Sequence, residues 1–443
     1  MTNPHILILG AGRSSSSLIN YIIDQSIKNQ WKVTIGDFSH AAALEMIDGK
    51  SASAIQFDIQ DAEASRKAIA SADVVISLIP AHLHFLVAKI CLAEKKHLLN
   101  ASYVSDEMKS FHDEAQAKGL LFLNECGLDP GIDHMSAMQV IDQIKARGGK
   151  LTSFESFTGG LTAPETDPEN PWRYKFTWNP RNVVMAGQGT AKFMQEGVYK
   201  FIPYQQLFQR TTSVKVPGVG EYEGYANRDS LKYLETYQIQ GIKTMLRGTL
   251  RNKGYCSAWN VLVQLGCCDD SFQLENVLEM NHREFINSFL DLGGLSTEKK
   301  IESLFRLLPN GGEMNRLNWS GLFSDELIGL EKGTPAQVLE HILNKKWKLR
   351  SGDKDFIVMW HRFKYEYEGK ENEIQAYLTA TGDDETHTAM AKTVGLPLAI
   401  AAKLLLQDKI KSRGVVIPVV KEIYDPVLKE LGELGIRLIE KDF

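Results

Sequence analysis

The stretch Ile6-Leu7-Ile8-Leu9-Gly10-Ala11-Gly12-Arg13-Ser14-Ser15 sets the architecture of the N-terminal part of the chain. Four consecutive aliphatic residues read as a strand buried on both faces. They run into Gly-x-Gly-x-x-small, with Ser15 at the third small position. Gly10 allows the tight turn off the strand, and Gly12 lets backbone approach a pyrophosphate. A helix opening at Ser14 points its free N–H groups and positive dipole end at the phosphates. Ser14 to Ser17 add hydroxyl donors and an N-cap. By itself Gly-x-Gly also marks an ordinary tight turn. Here a strand precedes it, a helix follows it, and a regular series continues it.

In that series, apolar runs of strand length at 5–10, 32–37, 52–57, 73–80, 97–100 and 120–124 alternate with helical spacing at 14–29, 40–49, 61–71, 83–95 and 105–118. The alternation predicts βαβ units and a doubly wound parallel sheet, a Rossmann domain over 1–129. A helix is expected over 131–147, then β-rich stretches at 150–157, 175–178, 209–216 and 222–228. Residues 257–349 have a helical pattern, and 355–380 alternate like strands. These imply a second α/β domain, 130–256 with 350–386, that carries 257–349 as a helical insertion. The C-terminal helices within 387–443 are expected to pack back on the Rossmann domain.

Ligands of open α/β sheets bind beyond the carboxyl ends of the strands. Asp37 ends the second strand, and an acid there accepts hydrogen bonds from a ribose 2′-hydroxyl and repels a 2′-phosphate. No arginine follows it in Phe38-Ser39. The cofactor expected is therefore NAD or NADP, with NAD favoured by Asp37. Asp58 and Ile59 end the third strand, near the adenine. Leu78 and Ile79 end the fourth, and Ala101, Ser102 and Tyr103 the fifth, both bordering the nicotinamide. Asp37 and Asp58 also read as solvated strand-end acids.

Lysine plus arginine is 50 against 55 acidic residues, a net charge of −5. That balance lacks the basic excess of nucleic-acid domains, so no nucleic-acid partner is expected. Five cysteines without zinc spacing read as reduced thiols. The N-terminus has no basic segment ahead of an apolar run, and no stretch of about 18 apolar residues stands out. The expectation is a cytoplasmic protein without a membrane partner.

From Asn124-Glu125-Cys126-Gly127-Leu128-Asp129-Pro130-Gly131-Ile132-Asp133-His134 the sequence becomes specific. Further segments are 158–165, Tyr174-Lys175-Phe176-Thr177-Trp178, Ala226-Asn227-Arg228-Asp229-Ser230, Leu246-Arg247-Gly248-Thr249-Leu250-Arg251 and Val394-Gly395-Leu396-Pro397. Over nearly its whole length the chain resembles the glutamate-forming saccharopine dehydrogenase family. The resemblance implies a Rossmann domain, a second α/β domain with a helical insert, and a homodimer. It also implies a reaction through an imine: saccharopine, NAD(P) and water interconvert with glutamate, 2-aminoadipate 6-semialdehyde and NAD(P)H. It places Ser102 and Tyr103 where substrate meets nicotinamide and Asp129 against saccharopine. Arg228, Thr249, Leu250 and Arg251 hold its carboxylates, and Gly127, Leu128 and Trp178 lie near the cofactor, beside Gly10, Gly12, Arg13, Ser14 and Ser15.

Saccharopine carries three carboxylates, which suit bidentate guanidinium groups, with Arg247 a spare. Asp129 and Ser102 are the candidates for catalysis; Asp129 is also placed to cap the following helix. No side chain stands out as the general base, and His134 reads as structural. His82-x-His84 lacks a third metal ligand, so no metal is expected. Two other readings keep the Rossmann domain. A carboxynorspermidine-type dehydrogenase would need fewer arginines, and a non-catalytic dinucleotide sensor would need none.

Overall fold

The computed structural model describes residues 3–443. The chain forms two compact units. The first takes in the chain as far as Lys150 and returns for Leu378–Glu440; the second comprises Leu151–Tyr377 and Lys441–Phe443.

In the first unit β1 (His5–Leu9), β2 (Lys32–Asp37), β3 (Ser53–Gln56), β4 (Val74–Ser77), β5 (His97–Asn100) and β6 (Leu121–Leu123) pair in parallel in the order 3-2-1-4-5-6. A further short strand, Gly414–Val416, lies parallel beside β6. Ile6, Ile8, Ile35, Val74 and Leu98 are wholly or almost wholly buried, as expected of parallel strands covered on both faces. The strand order reverses between β1 and β4, where doubly wound sheets open their ligand crevice. Register pairs Leu9 with Gly36 and Ser77, and Ser77 with Asn100. The residues that follow these strands therefore emerge at one level.

The helix Ser16–Asn29 buries Leu18, Ile19, Ile22 and Ile23. Gly395, in the helix Ala389–Leu406, sits so close that an added Cβ would stand 3.0 Å from the Leu18 backbone nitrogen. This second helix is the one helix among the described residues long and apolar enough to cross a membrane, by length and composition. Its 18 residues have a mean hydropathy of 1.6. The sequence pattern does not single out a run of that length, because Lys392 and Lys403 interrupt it. The protein buries 78% of it, the behaviour of a core helix.

The sequence pattern puts a domain boundary at 129; contacts put it at 150. The helix Ile132–Ala146 packs on the distant helix Lys421–Glu433, where the Tyr424 hydroxyl donates to Asp142.

The second unit is built on β7 (Lys150–Thr162), β8 (Ala191–Gln195), β9 (Val198–Ile202), β10 (Thr212–Val216), β11 (Gly220–Ala226), β12 (Thr244–Arg251), β13 (Asp355–Tyr367) and β14 (Lys370–Thr381). The order is 10-11-12-7-13-14, and β8 pairs β12 and β9. The helical segment 257–349 shares this unit's core. Trp259 and Trp347 pack edge-on against Trp172, with ring centroids 6.2 and 5.2 Å away, and Trp347 also meets Tyr174 and Phe176.

Residues 175–178 do not form the expected strand. Only Phe176 makes a bridge, to Lys348. Lys175 turns its fully buried ammonium between Asp167 (2.8 Å) and Asp353 (2.7 Å) instead. The β8–β9 hairpin gives little signal in the sequence. Its turn, Glu196-Gly197, has two positive φ values (50° and 79°) without the usual Asn-Gly or Asp-Gly. Val198 to Phe201 are all exposed, so no alternation shows.

Candidate active site

Gly10 leaves β1 at φ +108°, and a Cβ there would stand 3.0 Å from the Leu78 carbonyl carbon. Gly10 is thus required by the fold. At Gly12 a Cβ would meet nothing within 4 Å, so space is left where a phosphate would approach. Ser15 is buried and donates its hydroxyl to the Gly12 carbonyl at 2.7 Å. Among the described residues no side chain caps the helix Ser16–Asn29. Its first N–H groups are therefore left without a side-chain cap, next in the chain to half-buried Ser14 and exposed Arg13. A pyrophosphate fits this cradle.

Asp37 closes the loop from β2. One carboxylate oxygen accepts from the Ala11 N–H at 2.7 Å and the other from the Ser39 N–H at 2.8 Å. A carboxylate has about four lone-pair positions, so acceptor capacity remains. Phe38 beside it is 72% exposed, while Ser39 caps the next helix. Asp58 accepts from the Gln60 N–H at 2.9 Å and shapes the turn after β3. Ile59 turns its side chain into the first unit's core, so that its backbone is the part left for a ligand. Leu78 contributes backbone against Gly10, and Ile79 packs on the same core.

The ends of β5 and β6 hold a connected polar network. Asn100 Nδ2 donates to Asn124 Oδ1 at 2.7 Å, and the Ser102 N–H donates to Asn100 Oδ1 at 2.9 Å. The Tyr103 hydroxyl donates to Asp129 at 3.2 Å. Glu125, at φ +54°, accepts from the Val104 N–H at 3.0 Å and lies 2.9 Å from His134 Nε2. His134 is fully buried. Gly127 lies so close to Ala101 that a Cβ would stand 2.9 Å from that residue's own. At Gly131 a Cβ would overlap the Gly127 backbone, 2.0 Å from its oxygen. Leu128 is buried and Asp129 is half-buried. Sequence reasoning gives Glu125 no role and weighs His84 only as a metal ligand. The signal for Glu125 was its place just ahead of Cys126-Gly127; for His84 there was only a spacing.

Burial, with a smaller contribution from His82, lowers the His84 pKa to about 4. Burial and Arg413 lower that of His97 to about 4, where the Leu121 N–H donates to its ring. Free imidazole titrates near 6.5, so the unfolded chain takes up these protons first. The stability is complete above pH 6.5 and is lost as pH falls towards 4. Each histidine should withdraw on the order of 3 kcal/mol across that window. The urea midpoint should hold steady from pH 8 to 7 and fall steadily from 6.5 to 4.5. A flat profile would contradict both assignments.

In the second unit Arg251 is 4% exposed. Its guanidinium carbon lies 5.1, 5.9 and 5.2 Å from the ring centres of Tyr174, Tyr225 and Tyr255. One terminal nitrogen donates to the Leu250 carbonyl at 2.9 Å, while Nε has no partner. Among the described residues it makes no ion pair. Leu250 buries its side chain wholly in the core, and its backbone is paired with Gly224 across the sheet. Thr249 is half-buried and in register with Thr158, whose buried hydroxyl has no partner. Arg228 is exposed at φ +48°, and its carbonyl accepts from the Lys192 N–H at 2.8 Å. Arg247 stacks 4.3 Å from the Tyr233 ring centre, and Trp178 packs partly buried against the core. Among the described residues no group of three metal-ligating side chains occurs.

Loop, strand order and helix N-terminus define a Rossmann-type dinucleotide-binding protein with an added mixed-sheet unit. Residues 6–123 match the family model for the saccharopine dehydrogenase NADP binding domain, and 127–436 match that for the saccharopine dehydrogenase C-terminal domain. The chain belongs to the saccharopine dehydrogenase family. It is 32% identical to the saccharopine dehydrogenase [NADP(+), L-glutamate-forming] of Saccharomyces cerevisiae over 99% of each chain. The crystallised apo, histidine-tagged saccharopine dehydrogenase (L-Glu forming) from the same yeast superposes with a TM-score of 0.89, 31% identity and complete coverage of both chains. The mitochondrial alpha-aminoadipic semialdehyde synthase of Bos taurus is 35% identical over 98% of this chain. This chain spans about half the length of that synthase, 47%.

Proposed function

We propose that this protein is a glutamate-forming saccharopine dehydrogenase that uses NAD in preference to NADP. The observation that carries the reading is Arg251, a buried guanidinium with no acidic partner among the described residues, in a chain whose other unit holds a dinucleotide loop. A buried cation demands an anion, and saccharopine offers three carboxylates. The activity named for the full-length yeast relative supports the same reading.

When bound, the dinucleotide exchanges a hydride with the carbon beside the substrate nitrogen. The chain's own residues bind and orient. Arg251 and Arg228 hold carboxylates, and Thr249 adds a hydroxyl. Ser102 and Tyr103 position the reacting C–N group. Asp129, receiving the Tyr103 hydroxyl, takes up the amine proton or orients the attacking water.

The preference for NAD rests on Asp37. Its carboxylate would face a 2′-phosphate with like charge, and exposed Phe38 stands where an arginine would neutralise one. The test is absorbance at 340 nm with saccharopine and each cofactor in turn. We expect kcat/KM for NAD to exceed that for NADP at least tenfold, about 1.4 kcal/mol. Turnover with NADP alone would overturn the role of Asp37 and leave the activity standing. Turnover with neither would overturn the activity.

A further inference from the structure

His84 opens the helix His84–Ala93, just past the end of β4. It is 5% exposed, and both ring nitrogens are engaged. Nδ1 lies 2.9 Å from the hydroxyl of Ser77, the last residue of β4 and itself fully buried. Nε2 lies 3.0 Å from the hydroxyl of Ser102, just past the end of β5. A chain of three side chains thus runs from the sheet interior to the level where the strands end.

Ser102 is held at every other polar atom as well. Its N–H donates to Asn100 Oδ1, and its carbonyl accepts from the Glu125 N–H at 3.1 Å. Its hydroxyl rotor is the one freedom that backbone contacts cannot remove, and the imidazole removes it. Burial keeps the ring neutral at physiological pH. It therefore has one N–H and one lone pair, and the two serines must take complementary roles. Whichever tautomer is present, Ser102 spends one function on His84 and keeps the other, proton or lone pair, directed away from the ring.

We propose that His84 is a positioning residue that acts through Ser102, fixing its hydroxyl for the reacting C–N group of the substrate. The inference rests on the role given to Ser102 above. A neutral histidine also adds no charge beside the dinucleotide. Misplacing a contacting group by about 1 Å can cost roughly 100-fold in rate, so removing the ring should act on kcat and leave dinucleotide affinity almost untouched.

The experiment is a double-mutant cycle on saccharopine turnover, with NAD affinity and thermal midpoint measured for each protein. Ser102→Ala and His84→Ala should each lower kcat by roughly 10- to 100-fold. The double variant should be no slower than Ser102→Ala alone. His84→Gln, whose amide reaches the Nε2 position, should recover most of the loss; His84→Asn, which reaches only the Nδ1 position, should not. This pair decides the matter if His84→Ala fails to fold. Additive losses, or equal behaviour of Gln and Asn, would overturn the inference alone. A silent Ser102→Ala, or a parent without saccharopine turnover, would overturn the reading beneath it and the inference with it.

Discussion

Gly12→Val should abolish useful dinucleotide binding and leave the fold intact. A Cβ at Gly12 meets no atom within 4 Å, so the protein itself has no objection to a side chain there. The space belongs to the pyrophosphate, which must approach the backbone at the second glycine. We expect the Kd for NAD to rise on the order of 100-fold, about 2.7 kcal/mol, with a thermal midpoint within about 3 °C of the parent. Gly10 gives the contrast. At φ +108° and 3.0 Å from the Leu78 backbone, Gly10→Ala should lower the midpoint, because the strain falls on β1 and β4. Titration of NAD by tryptophan fluorescence, paired with thermal melts, separates the two. A Gly12→Val protein that binds NAD normally would show that the loop does not hold the phosphates.

Arg251→Met should remove activity while sparing stability. The guanidinium is buried among Tyr174, Tyr225 and Tyr255, its Nε has no partner, and among the described residues it forms no ion pair. Holding such a charge out of water costs free energy, and an apolar side chain of similar volume is often neutral or stabilising in its place. A methionine at this position would pack the same aromatic walls. The substrate, however, would lose the partner of a desolvated carboxylate, a loss of about 2–5 kcal/mol. We expect kcat/KM for saccharopine to fall between about 30- and several thousand-fold, with a thermal midpoint equal to or above the parent's. A lower midpoint with surviving turnover would make Arg251 a structural cation held by the tyrosine rings.

What the sequence made legible was what short spacing controls. The glycine loop, the acid ending β2 and the alternation of strand and helix lie within a few turns of one another, and the parallel sheet follows from them. What long-range packing controls was hidden. His84 and Ser102 lie 18 residues apart and meet because β4 and β5 are neighbours. The walls around Arg251 come from positions 174, 225 and 255. The helix Ile132–Ala146 lies past the boundary that the sequence pattern suggests, yet it joins the first unit because helix Lys421–Glu433 covers it. Ile59 and Leu250 sat at strand ends or inside a matching motif, and only burial showed that their side chains face the core. Lys175 broke an apparent strand because two acids distant from one another in the chain converge on it.

Saccharopine has two carbon–nitrogen bonds at its secondary amine. Cleaving one yields glutamate and 2-aminoadipate 6-semialdehyde; cleaving the other yields lysine and 2-oxoglutarate. Amino-acid analysis of the products formed from saccharopine and NAD tests the central claim most directly. One glutamate released per NADH formed is the result expected. Lysine in its place, or no amino acid released at all, would contradict the account.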